Sequence, residues 1–337
     1  MQIQHHFSLK NYNTFGLQAT ANQFVEIEKV LQLKSVLKQN RYKKIFILGG
    51  GSNLLLTKNV EELVVFVNLK GKKIVNQDDN FVWVRAMAGE NWHDFVTWSI
   101  DQGYGGIENL SLIPGNVGTT PVQNIGAYGI EIKDVLTSCE TICIENQEVR
   151  IFSNLECEFA YRESIFKNNL KNKYIITAVT FRLTKNNHKI NIAYGDIEKE
   201  LASQNIENPT LKQVSNAVIA IRKSKLPDPK VLGNCGSFFK NPIISRIDFD
   251  QIKSKFPEIK YFEVDKNLIK VPAGWLIEYA GFKGKRFENA GIHEKQALVL
   301  VNYGGATGGE ILNISKNIQQ SVFEIFGIKI ETEVNIY

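Results

Sequence analysis

The chain has 337 residues, roughly enough for two or three domains and a large buried core. Its net charge of +5 is too small, and its cations too dispersed, to indicate a nucleic-acid-binding protein, although it suits an anionic small-molecule substrate. No apolar run approaches the length of a membrane span, and residues 1–10 lack the apolar segment of a signal peptide, so we expect a cytoplasmic protein.

The cysteines and histidines do not predict a metal or disulfide site. The four cysteines, Cys139, Cys143, Cys157 and Cys235, match no zinc or redox spacing and are too few for a disulfide framework. The five histidines are scattered, without metal-ligand spacing. We therefore expect free thiols and no metal.

A glycine-rich turn follows the first predicted strand, Ile45–Leu48. It reads Gly49-Gly50-Gly51-Ser52-Asn53 and continues into three leucines. Three glycines after a strand leave several backbone N–H groups free to bind one anion, so the turn predicts a phosphate nest. It does not match the dinucleotide-binding spacing, and taken alone it also fits a plain tight turn.

Further elements follow in order. Val64–Leu69 and Phe81–Met87 are predicted strands, and Asn91–Gln102 is a predicted helix because its apolar residues share one face before Gly103. Residues 105–129 are too glycine-rich for one element and too apolar for a disordered linker. Loops this long in a compact domain are usually functional, so a long, flat cofactor is predicted here, with a structural loop as the alternative.

The middle of the chain predicts strands at Cys139–Phe152 and Ile175–Leu183. Between them, Arg162 offers a planar fork that matches a carboxylate, although Tyr-Arg-Glu is also typical of a surface ion pair. Residues 193–196 form a loop with an exposed aromatic residue, Tyr194. Apolar residues from Leu211 onwards then repeat at helical spacing.

The most unusual stretch is 222–242, R-K-S-K-L-P-D-P-K-V-L-G-N-C-G-S-F-F-K-N-P. Two prolines are expected to keep its four cations out of a helix, and two glycines to let the backbone turn tightly. Ser237 follows the second glycine, and Phe238-Phe239 predicts that a strand begins there. A hydroxyl beside lysines suits proton delivery next to an anion, whereas the alternative is a surface loop with solvated lysines.

The C-terminal part predicts a helix at Ala273–Ala280, a strand at Gln296–Asn302 and a long amphipathic helix that ends at Gly327. Ile328–Tyr337 alternates as a strand and carries Glu331 and Glu333. On the pattern alone, these carboxylates fit a solvent-facing side.

Several segments together resemble the UDP-N-acetylenolpyruvoylglucosamine reductase family of bacterial peptidoglycan synthesis. They occur in the family's order over nearly the whole chain: G-G-G-S-N-L-L-L, I-P-G-N-V-G-T-T-P-V-Q-N-I-G-A-Y-G, Y-R-E-S, S-K-L-P-D-P, G-N-C-G-S-F-F-K-N-P and E-T-E-V. The A-Y-G-D-I loop and the length resemble the family's longer type, in which a tyrosine loop closes over the substrate.

The resemblance implies an α+β protein: an FAD-binding fold of the vanillyl-alcohol-oxidase type, made of two α/β subdomains, followed by a C-terminal α+β substrate domain. The expected boundaries are 1–70 and 71–220 for the two FAD-binding subdomains, 221–325 for the substrate domain, and 326–337 for a C-terminal strand that returns to the active site. A monomer is expected, with a UDP-sugar substrate and no nucleic-acid or membrane partner.

The resemblance also implies a reaction. NADPH reduces FAD, hydride passes to the terminal carbon of the enolpyruvyl group, and the resulting enolate-like intermediate is protonated to give UDP-N-acetylmuramate. Arg162 and Glu333 would polarise the substrate carboxylate and Ser237 would donate the proton. Matched residue by residue, the UDP-sugar would be held by Tyr161, Tyr194, Lys225, Asn241 and Gln296, and FAD by Gly49, Gly50, Gly51, Ser52, Asn53, Leu54, Ile113, Pro114, Gly115, Gly118, Thr119, Gln123, Asn124, Gly126 and Arg222.

General chemistry agrees with these roles. A serine hydroxyl is a plausible acid only towards a strongly basic carbanion and with cations to stabilise its alkoxide, for which Lys225 and Lys240 are candidates. Glu333 beside a carboxylate is expected to be partly protonated. Cys235 departs from the family's pattern, which usually has a small inert residue there; its thiol is an alternative donor, but a buried filler is the favoured interpretation.

Two rival functions stay open at this stage. The first is another FAD-dependent oxidase or dehydrogenase of the same fold, because fold does not fix function. The second is a non-enzymatic nucleotide-binding protein, whose glycine nests bind a ligand without catalysis.

Overall fold

The computed structural model describes residues 2–39 and 44–337, so the predicted 1–70 subdomain includes positions outside the described residues. The chain forms two compact units. The first comprises Met1–Phe7, Ala21–Gly51 and Val60–Ser224; the second comprises Ser8–Thr20, Ser52–Asn59 and Lys225–Tyr337. Two short segments from the N-terminal part therefore belong to the C-terminal unit.

The regular elements are named in chain order. The strands are β1 Gln4–Ser8, β2 Thr20–Ile27, β3 Ile45–Leu48, β4 Leu54–Leu55, β5 Val60–Val67, β6 Lys72–Gln77, β7 Phe81–Met87, β8 Gly126–Ala127, β9 Ile130–Glu131, β10 Leu136–Cys143, β11 Val149–Ser153, β12 Tyr174–Thr184, β13 Gly233–Ser237, β14 Ile243–Ser245, β15 Phe262–Glu263, β16 Leu268–Lys270, β17 Arg286–Phe287, β18 Ala290–Ile292, β19 Val299–Asn302 and β20 Asn335–Ile336. The α-helices are α1 Val30–Lys38, α2 Trp92–Asp101, α3 Ile197–Ser203, α4 Leu211–Lys225, α5 Arg246–Lys255, α6 Ala273–Tyr279 and α7 Gly308–Phe326.

The first unit contains a four-stranded sheet in the order β1-β2-β5-β3. Strands β2 and β3 both run parallel to β5, as a crossover through α1 requires. Helix α1 buries Leu33 and Val36 in the same apolar cluster as Val25 and Val65 from the sheet. The predicted strand at Ile45–Leu48 is confirmed, and it delivers the chain to the first glycine-rich turn.

A five-stranded sheet in the order β11-β10-β12-β7-β6 completes the first unit, with every adjacent pair antiparallel. Helix α2 packs on it through Trp92 and Phe95, whose rings lie 5.8 and 5.1 Å from that of Phe181. The side chain of Asn91 caps the helix by accepting the N–H of Asp94 at 3.1 Å. The predicted helix is confirmed, and Gly103 follows it with a φ of +78°.

The second unit contains a four-stranded sheet in the order β13-β19-β18-β17, a three-stranded sheet in the order β14-β16-β15, and the parallel pair β4 and β20. Its core is covered by α7, which buries Ile311, Ile318 and Val322. Gly327 ends α7 in the left-handed conformation at φ +71°, as predicted.

Two predictions about local structure were wrong. The cations Arg222, Lys223 and Lys225 lie in the last turn of α4 instead of outside a helix. Pro227 disfavours helix only from the residue before it, and cations are stabilised at a helix C-terminus. The strand near Phe238 ends at Ser237 instead of beginning there, because β13 is defined by pairing with β19.

The predicted strands at Gln296–Asn302 and Ile328–Tyr337 are also shorter in the structure. β19 begins at Val299, because the N–H of Val299 turns back to the carbonyl of Gln296 at 3.0 Å. β20 covers Asn335–Ile336, while Thr332 forms an isolated bridge with Phe239. The terminal segment bends at Val334 and changes its pairing partner there, so it is not one continuous strand.

Candidate active site

The two glycine-rich segments of the first unit pack directly against each other. A Cβ on Gly50 would lie 2.9 Å from the Cα of Gly115, and a Cβ on Gly49 would lie 2.5 Å from Cγ2 of Thr119. Such distances require glycine, because real Cβ atoms do not approach backbone so closely. These two segments, more than 60 residues apart in sequence, therefore adjoin in the fold, and Gly49, Gly50 and Gly115 are half-buried.

Residues 115–118 are held by backbone hydrogen bonds to the segment before α2. The N–H of Gly118 donates to the carbonyl of Ala88 and that of Val117 to Glu90, both at 2.9 Å, while the N–H of Trp92 donates to Gly115 at 3.0 Å. A Cβ on Gly118 would lie 2.4 Å from that of Ala88. The loop is thus a fixed part of the unit, as a preorganised binding loop must be.

His93, which the sequence analysis did not single out, supports the start of this loop. Its Nδ1 accepts the N–H of Leu112 at 3.0 Å, immediately before Ile113 and Pro114. Leu112 has a φ of +58°, so its backbone is strained and depends on such support. Burial lowers the pKa of His93, and nearby cations add to the effect, which keeps the ring neutral and able to accept.

Asn124 lies in the predicted loop with its side chain fully occupied. Its Nδ2 donates to Glu131 at 2.9 Å and to the carbonyl of Ala160 at 3.0 Å, and its Oδ1 accepts the N–H of Lys133 at 3.0 Å. A role for Asn124 in binding would therefore use its backbone. Gln123 precedes it on the same turn.

Arg162 is positioned by the short hairpin of β8 and β9. Its Nη2 donates to the carbonyl of Gly126 at 2.7 Å, and its guanidinium lies 5.3 Å from the centre of the Tyr161 ring. Arg162 has a φ of +58°, an uncommon conformation for a residue other than glycine and one that often occurs at functional sites. Tyr194 is 51% exposed in a segment that packs against the tip of the same hairpin.

Arg222 lies in the last turn of α4 with its Nε buried and without an acceptor among the residues that the structure describes. Burial lowers its pKa, while the neighbouring Tyr128 has the opposite effect. A buried guanidinium with an unpaired N–H is stabilised by an anion, so this arrangement suits a phosphate.

In the second unit, a β-bulge decides how the Cys235–Ser237 segment is presented. Asn234 pairs with Val301 and Ser237 with Val299, so the register shifts between them, and Gly236 has a φ of +75°. Cys235 is consequently 5% exposed and lies in the apolar core, whereas Ser237 is exposed. Burial raises the pKa of the Cys235 thiol well above its ordinary value, with a further contribution from Glu333.

Glu333 is brought to the same place by the terminal segment. Its N–H donates to the carbonyl of Phe238 at 2.8 Å, while Asn53 donates to its carbonyl at 3.3 Å. The structure thus brings together Ser237 and Glu333, nearly a hundred residues apart in sequence. Ser52, Asn53 and Leu54 lie on this side as well, since Leu54 pairs with Asn335 in β4 and β20.

Asn241 and Gln296 both lie near the start of α6. Oδ1 of Asn241 accepts the N–H of Ala273 at 2.9 Å, and Oε1 of Gln296 lies 3.3 Å from where a Cβ on Gly274 would be. Lys225 is the last residue of α4. Lys240 forms an ion pair with Glu331 at 3.7 Å.

Comparison with known proteins places these features in a family. A model of the FAD binding domain matches residues 21–152, and a model of the C-terminal domain of UDP-N-acetylenolpyruvoylglucosamine reductase matches residues 228–337. The reductase of that name from Flavobacterium johnsoniae is 66% identical over 336 residues, covering 100% of each chain. This chain belongs to the UDP-N-acetylenolpyruvoylglucosamine reductase family.

Other members agree. The Bdellovibrio bacteriovorus reductase is 46% identical over 335 residues, covering 99% of each chain. The solved UDP-N-acetylenolpyruvylglucosamine reductase from Thermus caldophilus is 23% identical, with a TM-score of 0.68 over 100% of this chain and 99% of that one, and so shares its fold. The predicted family and fold class are confirmed.

The residues of this reductase-family chain fit a flavin dinucleotide. Gly49 and Gly50 pack against residues 115–119 so closely that a Cβ would collide, and the loop 113–126 is preorganised, so both segments can present backbone N–H groups to one ligand. The buried, unpaired Nε of Arg222 supplies a donor for an anionic group. Within the described chain, no group of three or more His, Cys, Asp or Glu is arranged to hold a metal, and no helix is long and apolar enough to cross a membrane.

Proposed function

We propose that the protein reduces the enolpyruvyl group of UDP-N-acetylglucosamine enolpyruvate to UDP-N-acetylmuramate with FAD and NADPH. The observation that carries the proposal is the bulge at Cys235–Gly236, which exposes Ser237 beside the segment of Glu333 and turns the more acidic thiol into the core. This arrangement supports Ser237 as the proton donor and Glu333 as the carboxyl group of the proposed reaction.

Bound FAD supplies hydride transfer, by which electrons from NADPH reach the terminal carbon of the substrate's double bond. The protein residues stabilise the charge that develops next to the substrate carboxylate. Arg162 suits this role because its planar guanidinium can hold a carboxylate while Nη2 stays fixed to Gly126. Glu333 would donate a hydrogen bond to the same carboxylate when protonated, since two carboxylates side by side would repel.

Ser237 would then donate its proton to the substrate carbon that carries the carboxylate. The new C–H bond takes the proton, the carbanion electron pair forms that bond, and the serine is left as an alkoxide. Cations must stabilise this alkoxide, and we propose that Lys225 and Lys240 supply the positive charge. Tyr161, Tyr194, Lys225, Asn241 and Gln296 are the proposed contacts to the UDP-sugar.

FAD is proposed to lie on Gly49–Leu54 and Ile113–Gly126, with Arg222 near its phosphates. The four-part domain division at residues 70, 220 and 325 stays a proposal, as do a monomeric state and a cytoplasmic location. Sedimentation analysis of the purified protein would test the monomer.

The experiment that tests the function follows the flavin absorbance of the purified protein. NADPH should bleach it, and the UDP-enolpyruvyl sugar should restore it while UDP-N-acetylmuramate forms. Rapid reoxidation by air without the sugar, with no effect of adding it, would indicate another FAD-dependent oxidase. A colourless protein that releases no FAD on denaturation would contradict the flavoenzyme assignment.

A further inference from the structure

We propose that Asn109 is a positioning residue that fixes the segment carrying Tyr194 against the β8–β9 hairpin. The inference deepens the proposed function and rests on it, because Tyr194 is there assigned to the UDP-sugar. All of the contacts that carry it lie within the first unit.

The side chain of Asn109 joins two segments that are distant in sequence. It is 1% exposed, and its Nδ2 donates to the carbonyl of Tyr128 at 2.9 Å and to that of Asn191 at 2.8 Å. Tyr128 lies at the hairpin tip and Asn191 three residues before Tyr194. Both hydrogens of one amide are thus used to hold the Tyr194 segment to the hairpin.

The Tyr194 segment is held by side-chain contacts, among them a hydrogen bond of 2.7 Å between Oγ1 of Thr184 and Nδ1 of His188. Residues 188–193 form neither helix nor strand, so no ladder of backbone hydrogen bonds holds them. Ile190 and Ile192 pack on the apolar cluster of α3 and α4. The carbonyl that Asn109 binds lies between these two isoleucines, so the amide fixes the segment at the point where its apolar side chains are anchored.

The hairpin tip is shaped to receive this segment. Tyr128 and Gly129 have φ values of +49° and +82°, as in a type I′ turn. A Cβ on Gly129 would lie 2.9 Å from Nδ2 of Asn191 and 3.4 Å from Cβ of Tyr194. The side chain of Tyr194 therefore lies close to Gly129, so a shift of either segment changes the position of the tyrosine.

The same hairpin also holds Arg162, through the carbonyl of Gly126. One short element thus positions the arginine proposed for the substrate carboxylate and the tyrosine proposed for the sugar. Asn109 connects the Tyr194 segment to this hairpin.

Only the nitrogen of the Asn109 side chain has hydrogen-bond partners among the residues described. Its Oδ1 is buried and has no donor among the residues described. An unpaired buried acceptor destabilises a fold, so the favourable contribution of Asn109 comes from the two bonds that its nitrogen donates.

The test uses the FAD-bound enzyme with Asn109→Ala, Tyr194→Ala and the double variant. We expect Asn109→Ala to raise the KM for the UDP-enolpyruvyl sugar about ten- to a hundred-fold, the scale of two lost hydrogen bonds, with kcat and flavin reduction by NADPH within about three-fold. In the Tyr194→Ala background, it should raise KM further by less than about three-fold, because the residue acts through Tyr194. Independent, multiplying effects, or loss of FAD from Asn109→Ala, would overturn the proposal.

Asn154 provides a matched control, because its Nδ2 also donates to two backbone carbonyls, those of Lys133 and Leu136, each at 2.7 Å. Asn154→Ala should leave the KM unchanged. If Asn109→Ala does not fold, Gly129→Ala disturbs the same contact from the hairpin side and should raise KM similarly; an unchanged KM in that variant would contradict the inference.

The rate of limited trypsin cleavage after the exposed Lys189 measures how firmly the Tyr194 segment is held, independently of activity. Cleavage should be faster in Asn109→Ala and unchanged in Asn154→Ala. Equal rates in the parent and Asn109→Ala would refute the anchoring. If the parent itself does not act on the UDP-sugar, the proposed function fails, while the cleavage rates still decide whether Asn109 holds the segment.

Discussion

Substitutions of Cys235 and Ser237 should have opposite effects on stability and on turnover. Cys235→Ala should lower the free energy of unfolding and keep most activity. Ser237→Ala should leave stability nearly unchanged and lower turnover at least about a hundred-fold, the lower range for loss of a general acid. The two residues are separated by one glycine, so the contrast depends on the bulge alone.

The magnitudes follow from burial. Cys235 is 5% exposed in the apolar core beside Phe238, so removing its sulfur deletes one buried heavy atom, worth about 1 kcal/mol. Ser237 is exposed, and substitutions at such positions usually change stability by less than about 0.5 kcal/mol. A hundred-fold loss of turnover corresponds to about 2.7 kcal/mol of barrier.

Urea unfolding gives the stability of each variant, and stopped-flow absorbance separates flavin reduction from substrate reduction. NADPH should reduce the flavin of Ser237→Ala at near-normal speed, and Ser237→Cys should retain more turnover than Ser237→Ala. An inactive Cys235→Ala with a nearly normal Ser237→Ala would reverse the assigned roles. A Ser237→Ala protein that keeps FAD but resists reduction by NADPH would also contradict them.

The pH dependence of the free energy of unfolding is a second test of the burial of Cys235. Because burial raises the folded pKa of Cys235 above its unfolded value, its contribution to stability is complete below about pH 8.5 and is lost as the pH rises further. Between pH 8 and 10, Cys235→Ala should therefore lose less stability than the parent. An identical slope would show that the thiol is not buried in solution.

Three further substitutions test the binding surfaces. Gly50→Ala should release FAD, since its Cβ would collide with the second glycine segment, whereas Gly309→Ala, whose Cβ would meet its nearest neighbour at 3.9 Å, should retain FAD in the same absorbance assay. Burial lowers the pKa of His93, so the stabilisation by its neutral ring is present above about pH 6.5 and lost as the pH falls. In urea unfolding, His93→Gln should therefore lose less stability than the parent between pH 7 and 5. The same pH dependence in both proteins would contradict this. Lys225→Ala should raise the dissociation constant of the substrate about ten- to a hundred-fold, while substitution of the exposed Lys230 by alanine should not. Equal titration curves for Lys225→Ala and the parent would make Lys225 a solvated lysine.

Local patterns predicted those elements whose ends are determined by a few neighbouring residues. Helix α2 was found within one residue because Asn91 caps its start and Gly103 follows its end. Helix α7 was found because its apolar stripe continues to Gly327. In both cases, the free energy that defines the element lies in contacts a few residues apart in sequence.

Strands that depend on distant partners were predicted less consistently: Ile45–Leu48 and Phe81–Met87 were predicted correctly, whereas two others were not. β13 reads G-N-C-G-S, which has no apolar alternation, and it is a strand because it pairs with β19. The terminal segment alternates like a strand but divides its pairing between Phe239 and β4. Strand formation depends on such partners more than on local propensity.

The sequence by itself determined the family, the fold class and the residue types of the candidate site, because the glycine turns, the segment around Ser237 and the helix caps can each be recognised from a few neighbouring residues. The tertiary structure decided how the expected burial of Cys235 is achieved: pairing with β19 shifts the register between Asn234 and Ser237, which buries Cys235 and exposes Ser237. It also decided that Gly50 meets Gly115, that Glu333 lies beside Phe238, and that Asn109 holds the Tyr194 segment. Each of these contacts depends on backbone groups whose partners are far away in sequence, so only the folded chain brings them within hydrogen-bonding distance.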